Sequence, residues 1–241
     1  MGFRSRLRLL RSKNMIFNDR RDAGKRLAKR LQTLKEKNPV VLALPRGGVP
    51  VGLEIARALR APLDLVLVRK VGAPLEQELA VGAVTDGKDP ELVTNARLLA
   101  ELAVSPEYLE EARMEAVREI ERRRRLYLGD RPPVDLAGCT AIVTDDGVAT
   151  GATMLAALRG IQRRNPIRIL LAVPVAPELA LELLHPEVDK TVCLQMPPHF
   201  RTVGEFYRTF PQLRDDEVIA LLDQARAFAP PTKPPGNDEA P

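Results

Sequence analysis

Five short apolar runs constrain this chain more than any other feature: residues 40–44, 63–68, 140–144, 167–173 and 191–195. A strand with one wet face alternates polar and apolar residues. A run that is apolar nearly throughout suits a strand covered on both faces of a parallel sheet. Helical patterns separate these runs. Ala23, Leu27, Ala28, Leu31 and Leu34 recur at helical spacing within residues 19–37. Further helices are expected over residues 50–59, 151–163 and 177–184, and a last one, capped by Asp215, to about Phe228. Strand, helix and strand in turn predict an α/β fold with a parallel, Rossmann-like sheet.

The middle of the chain breaks this rhythm. Residues 71–89 are rich in Gly, Pro and acids around an apolar island at 79–84, and loops with a hairpin are expected there. Ser105-Pro106 has the form of a helix start, a capping hydroxyl followed by proline in the first turn. Tyr108, Ala112, Ala116 and Ile120 follow on one helical stripe, which runs into four arginines at 122–125. Their plain reading is a solvated helix end favoured by the dipole. Pro132-Pro133 closes the segment. Residues 75–131 therefore stand apart as an insertion in one domain spanning 15–229, the segment that a flap would occupy.

Charge is unevenly spread. Arg4, Arg6, Arg8, Arg11 and Lys13 account for the whole formal net charge of +5, so the remainder is near neutral. The basicity belongs to residues 1–14 and is not a nucleic-acid footprint on the domain. Those residues are expected to be a disordered tail, or translated from a start upstream of Met15. The proline-rich end from Pro230 is expected to be disordered too. No apolar run reaches the ~20 residues of a membrane helix. Cys139 and Cys193 read as small buried hydrophobes in a reducing cytoplasm, and no Cys/His cluster has metal-ligand spacing.

The chemistry is concentrated in Ala141-Ile142-Val143-Thr144-Asp145-Asp146-Gly147-Val148-Ala149-Thr150-Gly151-Ala152-Thr153-Met154. An apolar strand ends in two adjacent carboxylates, and small and hydroxyl residues lead into a helix. Ligands of open α/β sheets bind outside the carboxyl ends of strands. Free N–H groups at a helix start favour an anion, and Thr150 and Thr153 can add hydroxyls. The lysine of a G-x-x-x-x-G-K-[ST] nucleotide loop is missing. Carboxylates beside a phosphate cradle suit a sugar phosphate. A second candidate, Leu44-Pro45-Arg46-Gly47-Gly48, lies between a strand and a helix without a dinucleotide fingerprint. A third, Val68-Arg69-Lys70-Val71-Gly72-Ala73-Pro74, places cations after an apolar run.

The first stretch resembles the phosphoribosyl-diphosphate (PRPP) motif of type I phosphoribosyltransferases: apolar strand, Asp-Asp, small residues, Thr-Gly-x-Thr. Gly147 stands where that family commonly has an apolar residue, and Ala149 where it has a hydroxyl. The resemblance implies a type I core with a helical flap. It implies that Asp145 and Asp146 hold the ribose 2′- and 3′-hydroxyls. Gly147, Val148, Ala149, Thr150, Gly151, Ala152 and Thr153 would cradle the 5′-phosphate. The loop at Arg46 and Gly47 would take pyrophosphate, with Arg46-Gly47 as the candidate for a non-proline cis bond. Arg69-Lys70 is similar to the Arg-Lys-x-Gly-x-x-Pro run of adenine phosphoribosyltransferases, which makes Arg69 and Lys70 pyrophosphate ligands. Across residues 17–228 the chain resembles a small bacterial group of predicted phosphoribosyltransferases of unassigned acceptor.

The activity this implies is transfer of the phosphoribosyl group from PRPP to a small nitrogenous acceptor, with release of pyrophosphate. Asp145, Asp146, Arg46 and Lys70 would carry the reaction. Mg²⁺ would be the cofactor, held by PRPP and water near Asp145 and Asp146 rather than by direct protein ligation. Glu76 or Glu78 is a candidate general acid/base. Pro197, Pro198, His199, Phe200, Phe206 and Tyr207 are candidates for the acceptor pocket. A homodimer is left open; neither a membrane nor a nucleic acid is expected as partner. Two alternatives stand beside this: a non-catalytic PRPP or nucleotide sensor, and a hydrolase or mutase of another ribose phosphate.

Overall fold

The computed structural model describes residues 16–227, apart from 88, 89 and 91 and the side chains of 77 and 78. The basic and proline-rich ends, and the last residue expected in the final helix, lie outside the described residues.

The apolar runs form a parallel sheet. Strands β1 (Pro39–Ala43), β2 (Leu63–Leu65), β6 (Thr140–Thr144), β7 (Arg168–Val175) and β8 (Lys190–Gln195) lie in the order β2-β1-β6-β7-β8. Helices α1 (Arg20–Gln32), α2 (Gly48–Leu59), α5 (Ala152–Gln162) and α6 (Glu178–Leu184) cover it. Side chains alternate through the sheet as strand geometry requires. Val40, Leu42, Val143 and Leu171 pack on one face with Met154, Leu158 and Ile161 of α5. Val41, Ile142 and Leu170 pack on the other with Leu27 and Leu31 of α1 and Ile55 of α2. With both faces covered, neither can tolerate a polar alternation, and this is why the runs are apolar throughout.

The expected helix over 19–37 ends earlier, at Gln32; Asp19 is its N-cap and accepts the Asp22 N–H at 2.8 Å. The expected single strand over 63–68 is two strands. β2 stops at Leu65, and β3 (Val68–Ala73) leaves the central sheet to pair antiparallel with β4 (Glu76–Thr85). The buried Asp64 carboxylate accepts the Leu65 and Val134 N–H groups at 2.8 and 2.9 Å and meets Arg124, so this edge is an ion-pair site rather than a continuous apolar strand. β5 (Leu92–Thr94) completes the small sheet, followed by α3 (Ala96–Glu101).

The 23-residue helix α4 (Pro106–Leu128) starts where expected, with the Ser105 hydroxyl accepting the Tyr108 N–H. Its apolar stripe packs on the hairpin and on the final helix α7 (Asp215–Arg226) in one cluster with Val71, Val81, Ile120, Val218 and Leu222. The Tyr108 hydroxyl donates to the Gly72 carbonyl at 2.9 Å.

The arginine run is only in part a solvated face. Arg122 and Arg125 are exposed, whereas Arg124 is nearly buried and reaches Asp86 at 2.9 Å and Asp64 at 3.3 Å, tying α4 to the sheet edge. The helix continues past the run to Leu128, which turns one arginine per turn inward. Asp215 is the first residue of α7 rather than its cap. Glu217 accepts the Arg214 N–H, and Asp215 points to Tyr127 instead.

Candidate functional site

The sheet order places the candidate loops. β1 leads to β2 on one side, while β6 leads to β7 on the other, so their carboxyl ends flank the point where winding reverses. Ala43 is in register with Thr144, and the Leu44 N–H donates to the Thr144 carbonyl at 3.0 Å. Residues about 100 apart in sequence thus end side by side. Gly47 and Gly48 lie against the acid pair. An ideal Cβ on Gly47 would fall 2.9 Å from Asp146 Oδ1 and closer to the rest of that carboxylate; one on Gly48 would lie 3.0 Å from Asp145 Cα. The cis bond of this loop is Pro45-Arg46, one residue before the expected junction. Gly47 is glycine because Asp146 leaves no room for a Cβ.

The acids are unequal. Asp146 Oδ2 accepts from Arg20 Nε at 2.8 Å, and both side chains are nearly buried. Asp145 Oδ1 accepts the Asp146 N–H at 2.8 Å. Burial, with adjacent Asp146 adding repulsion, holds the Asp145 carboxyl well above the usual carboxylate range. Burial raises Asp146 as well, but Arg20 opposes it. Asp145 is therefore the more readily protonated of the two.

Arg20 is itself fixed. It donates to the Pro211 carbonyl at 2.8 Å and lies 3.7 Å from the centroid of the Phe210 ring. Phe210 stacks on Tyr207, whose hydroxyl donates to the Asp146 carbonyl at 2.5 Å. Sequence reading assigned Tyr207 to an acceptor pocket; the structure buries it under the acid loop. Arg20 carried no assigned role, although it lies near the start of the 17–228 span over which the chain resembles the bacterial group. The signal was there only as a match, without a chemical reason.

The cradle residues follow. Gly147 is buried against Val203, and the Val148 N–H donates to the Val175 carbonyl at 2.9 Å. Ala149 and Thr150 are exposed. Gly151 takes φ of +86°, which favours glycine, and α5 begins at Ala152, leaving its first amides unpaired by the helix. Thr153 faces a small cleft shared with Pro45, Arg69 and α4 residues Glu119 and Arg123.

The cations divide. Arg46 lies 3.7 Å from Asp215, which also accepts the Tyr127 hydroxyl at 2.6 Å. Arg69 lines the cleft from β3, whereas Lys70, next along the strand, presents to the other face of the hairpin. Both are exposed. Glu76 is exposed at the start of β4. Glu78 is among the residues whose side chains are not described. His199 and Pro198 are exposed, while Phe200 and Phe206 stack at 5.7 Å beyond β8.

Among the described residues no three or more His, Cys, Asp and Glu side chains gather around a metal position. Asp145 and Asp146 offer oxygen only, which suits a hard cation carried largely by substrate and water. No described helix is long and apolar enough to cross a membrane. Cys193 is buried and Cys139 half-buried, both as free thiols.

A family model of the phosphoribosyl transferase domain matches residues 16–193, which include both loops and the acid pair. This chain belongs to the phosphoribosyltransferase family. Its fold is the type I α/β fold of that family, whose enzymes are pentosyltransferases. The crystal structure of TT1426 from Thermus thermophilus is 42% identical, with a TM-score of 0.77, and the match covers 90% of this chain and 100% of that one. Two Mycobacterium tuberculosis proteins (strains CDC 1551 and H37Rv), provisionally named phosphoribosyl transferases, are each 43% identical over 220 residues, 89% of this chain. The chain spans 48% of the length of these curated relatives.

Proposed function

We propose that this chain binds PRPP at the carboxyl ends of β1 and β6 and transfers its phosphoribosyl group to a nitrogenous acceptor. One observation carries the reading: the two-glycine loop after β1 lies directly against the Asp145-Asp146 pair after β6. A ribose held by the acids therefore has its C1 side toward the β1 loop and its 5′ side toward the start of α5. The resemblance supplies the same assignment residue by residue.

In this reading Asp145 and Asp146 accept hydrogen bonds from the ribose hydroxyls. The amides of Ala152 and Thr153, with the hydroxyls of Thr150 and Thr153, take the 5′-phosphate. Gly147, Val148, Ala149 and Gly151 shape that turn. Arg46, Gly47 and Arg69 receive the diphosphate, and Lys70, on the other hairpin face, contributes least. The bond from C1 to the diphosphate oxygen breaks as a bond to the acceptor nitrogen forms, through a state of oxocarbenium character. The protein lowers that barrier by positioning the sugar and offsetting charge on the leaving diphosphate. Asp145 and Asp146 would hold the water shell of a Mg²⁺ bound with the donor, which would supply further positive charge to the leaving diphosphate. Phe200 and Phe206 are the apolar surface assigned to the acceptor.

The test is pyrophosphate release from PRPP and Mg²⁺ with a panel of bases and small amines. Turnover with one acceptor is expected, and Asp145→Asn with Asp146→Asn is expected to abolish it in a folded variant. Absence of PRPP binding by the intact chain refutes the proposal. Tight PRPP binding without turnover would assign a sensor instead.

A further inference from the structure

On helix α4, Glu119, Arg123 and Tyr127 are spaced four apart and share one stripe. That stripe runs along the β1 loop. Glu119 and Arg123 line the cleft whose other walls include Pro45, Arg69 and Thr153. Tyr127 reaches Arg46 through Asp215. Two arginines beside this loop are thus already held by carboxylates. Arg123 Nε meets Glu119 at 2.7 Å, and Arg46 meets Asp215 at 3.7 Å. Arg123 remains two-fifths exposed, so its guanidinium can turn into the cleft without leaving the protein surface. The cleft is about 40 Å³, room for a few waters but not for a diphosphate, so such an anion entering it must displace a side chain.

We infer that Arg123 is a diphosphate ligand contributed by the flap helix, and that Glu119 occupies its guanidinium until the anion arrives. The inference rests on the donor-site reading above. Arg123 and Arg69 approach the diphosphate from the flap side, opposite the Asp145-Asp146 pair. The anion exchanges one carboxylate partner for two phosphate oxygens, a geometry that suits the planar guanidinium fork. Glu119 keeps Arg122 at 2.8 Å as its own counter-charge when Arg123 leaves. Donor binding would thereby draw α4 onto the site.

The test titrates pyrophosphate with Mg²⁺, and separately ribose 5-phosphate, into the full chain and its Arg123→Gln, Arg123→Lys and Glu119→Gln variants. Arg123→Gln is expected to weaken pyrophosphate binding about tenfold, the scale of one charged hydrogen bond, and to leave ribose 5-phosphate unchanged. Arg123→Lys should recover part of the loss. Glu119→Gln should tighten pyrophosphate binding, because Arg123 is no longer competed for. Equal pyrophosphate affinity in Arg123→Gln and the parent overturns the inference. So does weakening by Glu119→Gln as well, since a purely structural ion pair loses from both sides. If the parent binds neither ligand, the donor-site reading itself has failed.

Discussion

Arg20 Nε lies 2.8 Å from Asp146 Oδ2, so the first helix supplies the counter-charge for an acid pair 126 residues later. The same guanidinium is clamped by the Pro211 carbonyl and the Phe210 ring. Three distant segments therefore meet at one carboxylate, and the orientation of the candidate ribose ligand depends on all of them.

Removing this cation leaves Asp146 buried without its partner. Arg20→Gln is expected to cost about 3 kcal/mol, the scale for breaking a buried pair from one side. Urea unfolding near pH 7 measures it. A loss below about 0.5 kcal/mol would mean that Asp146 is neutralised by protonation, so that Arg20 does not hold its charge.

Gly47 is the closest approach between the two loops. Gly47→Ala pushes its Cβ into the Asp146 carboxylate and should displace it from Arg20. Overpacking of this kind costs about 1–3 kcal/mol, so the variant should still fold. Ribose 5-phosphate affinity, followed by calorimetry, should fall at least about tenfold, one charged hydrogen bond's worth. Undiminished affinity in this variant would show that Asp146 does not touch the sugar.

Asp86 gives the fold a pH dependence. Burial pushes its carboxyl up to about 6, against the pull of Arg124. The folded state then binds a proton more tightly than the unfolded chain, so the contribution to stability is greatest at low pH. It is lost as pH rises from about 4 through about 6. The stability advantage of the parent over Asp86→Asn should shrink, by on the order of 2 kcal/mol, between about pH 4.5 and about pH 7.5. An advantage that grows with pH would show that Arg124 keeps Asp86 ionised throughout.

Helix α5 meets the flap sheet through a glycine. An added Cβ at Gly160 would overlap the Thr85 side chain, lying 2.8 Å from its Cβ. Alanine is worth about 1 kcal/mol over glycine inside a helix, yet Gly160→Ala should destabilise, by about 1–3 kcal/mol. Adding Thr85→Ala should recover much of that loss in thermal or urea unfolding. Independent, additive effects of the two substitutions would exclude the contact as the cause.

The central sheet was legible because burial on both faces writes itself into consecutive residues. Residues 140–144 and 167–173 could be read as strands locally, and the loop from Asp145 to Thr153 announced a helix start with acids before it. The break after Leu65 was not legible. Leu67, at the break, bonds to Asp86, 19 residues on, and the sequence there still looks like a strand. The arginine run misled for the same reason. Solvated and buried arginines are identical in composition, and only helix phase against a packed neighbour separates Arg124 from Arg122.

The sequence alone determined the α/β class, the adjacent acids, the turn into α5 and the family to which they belong. Each is encoded by residues within about one strand and one helix of each other, where periodicity and backbone chemistry act directly. Only the tertiary structure decided that Arg20 serves Asp146, that Gly47 rather than a longer side chain must face it, and that Arg123 borders the cleft. Those relationships join segments brought together by sheet order and flap packing. A salt bridge carries no local pattern, because any exposed arginine could pair with any acid until the fold removes the alternatives.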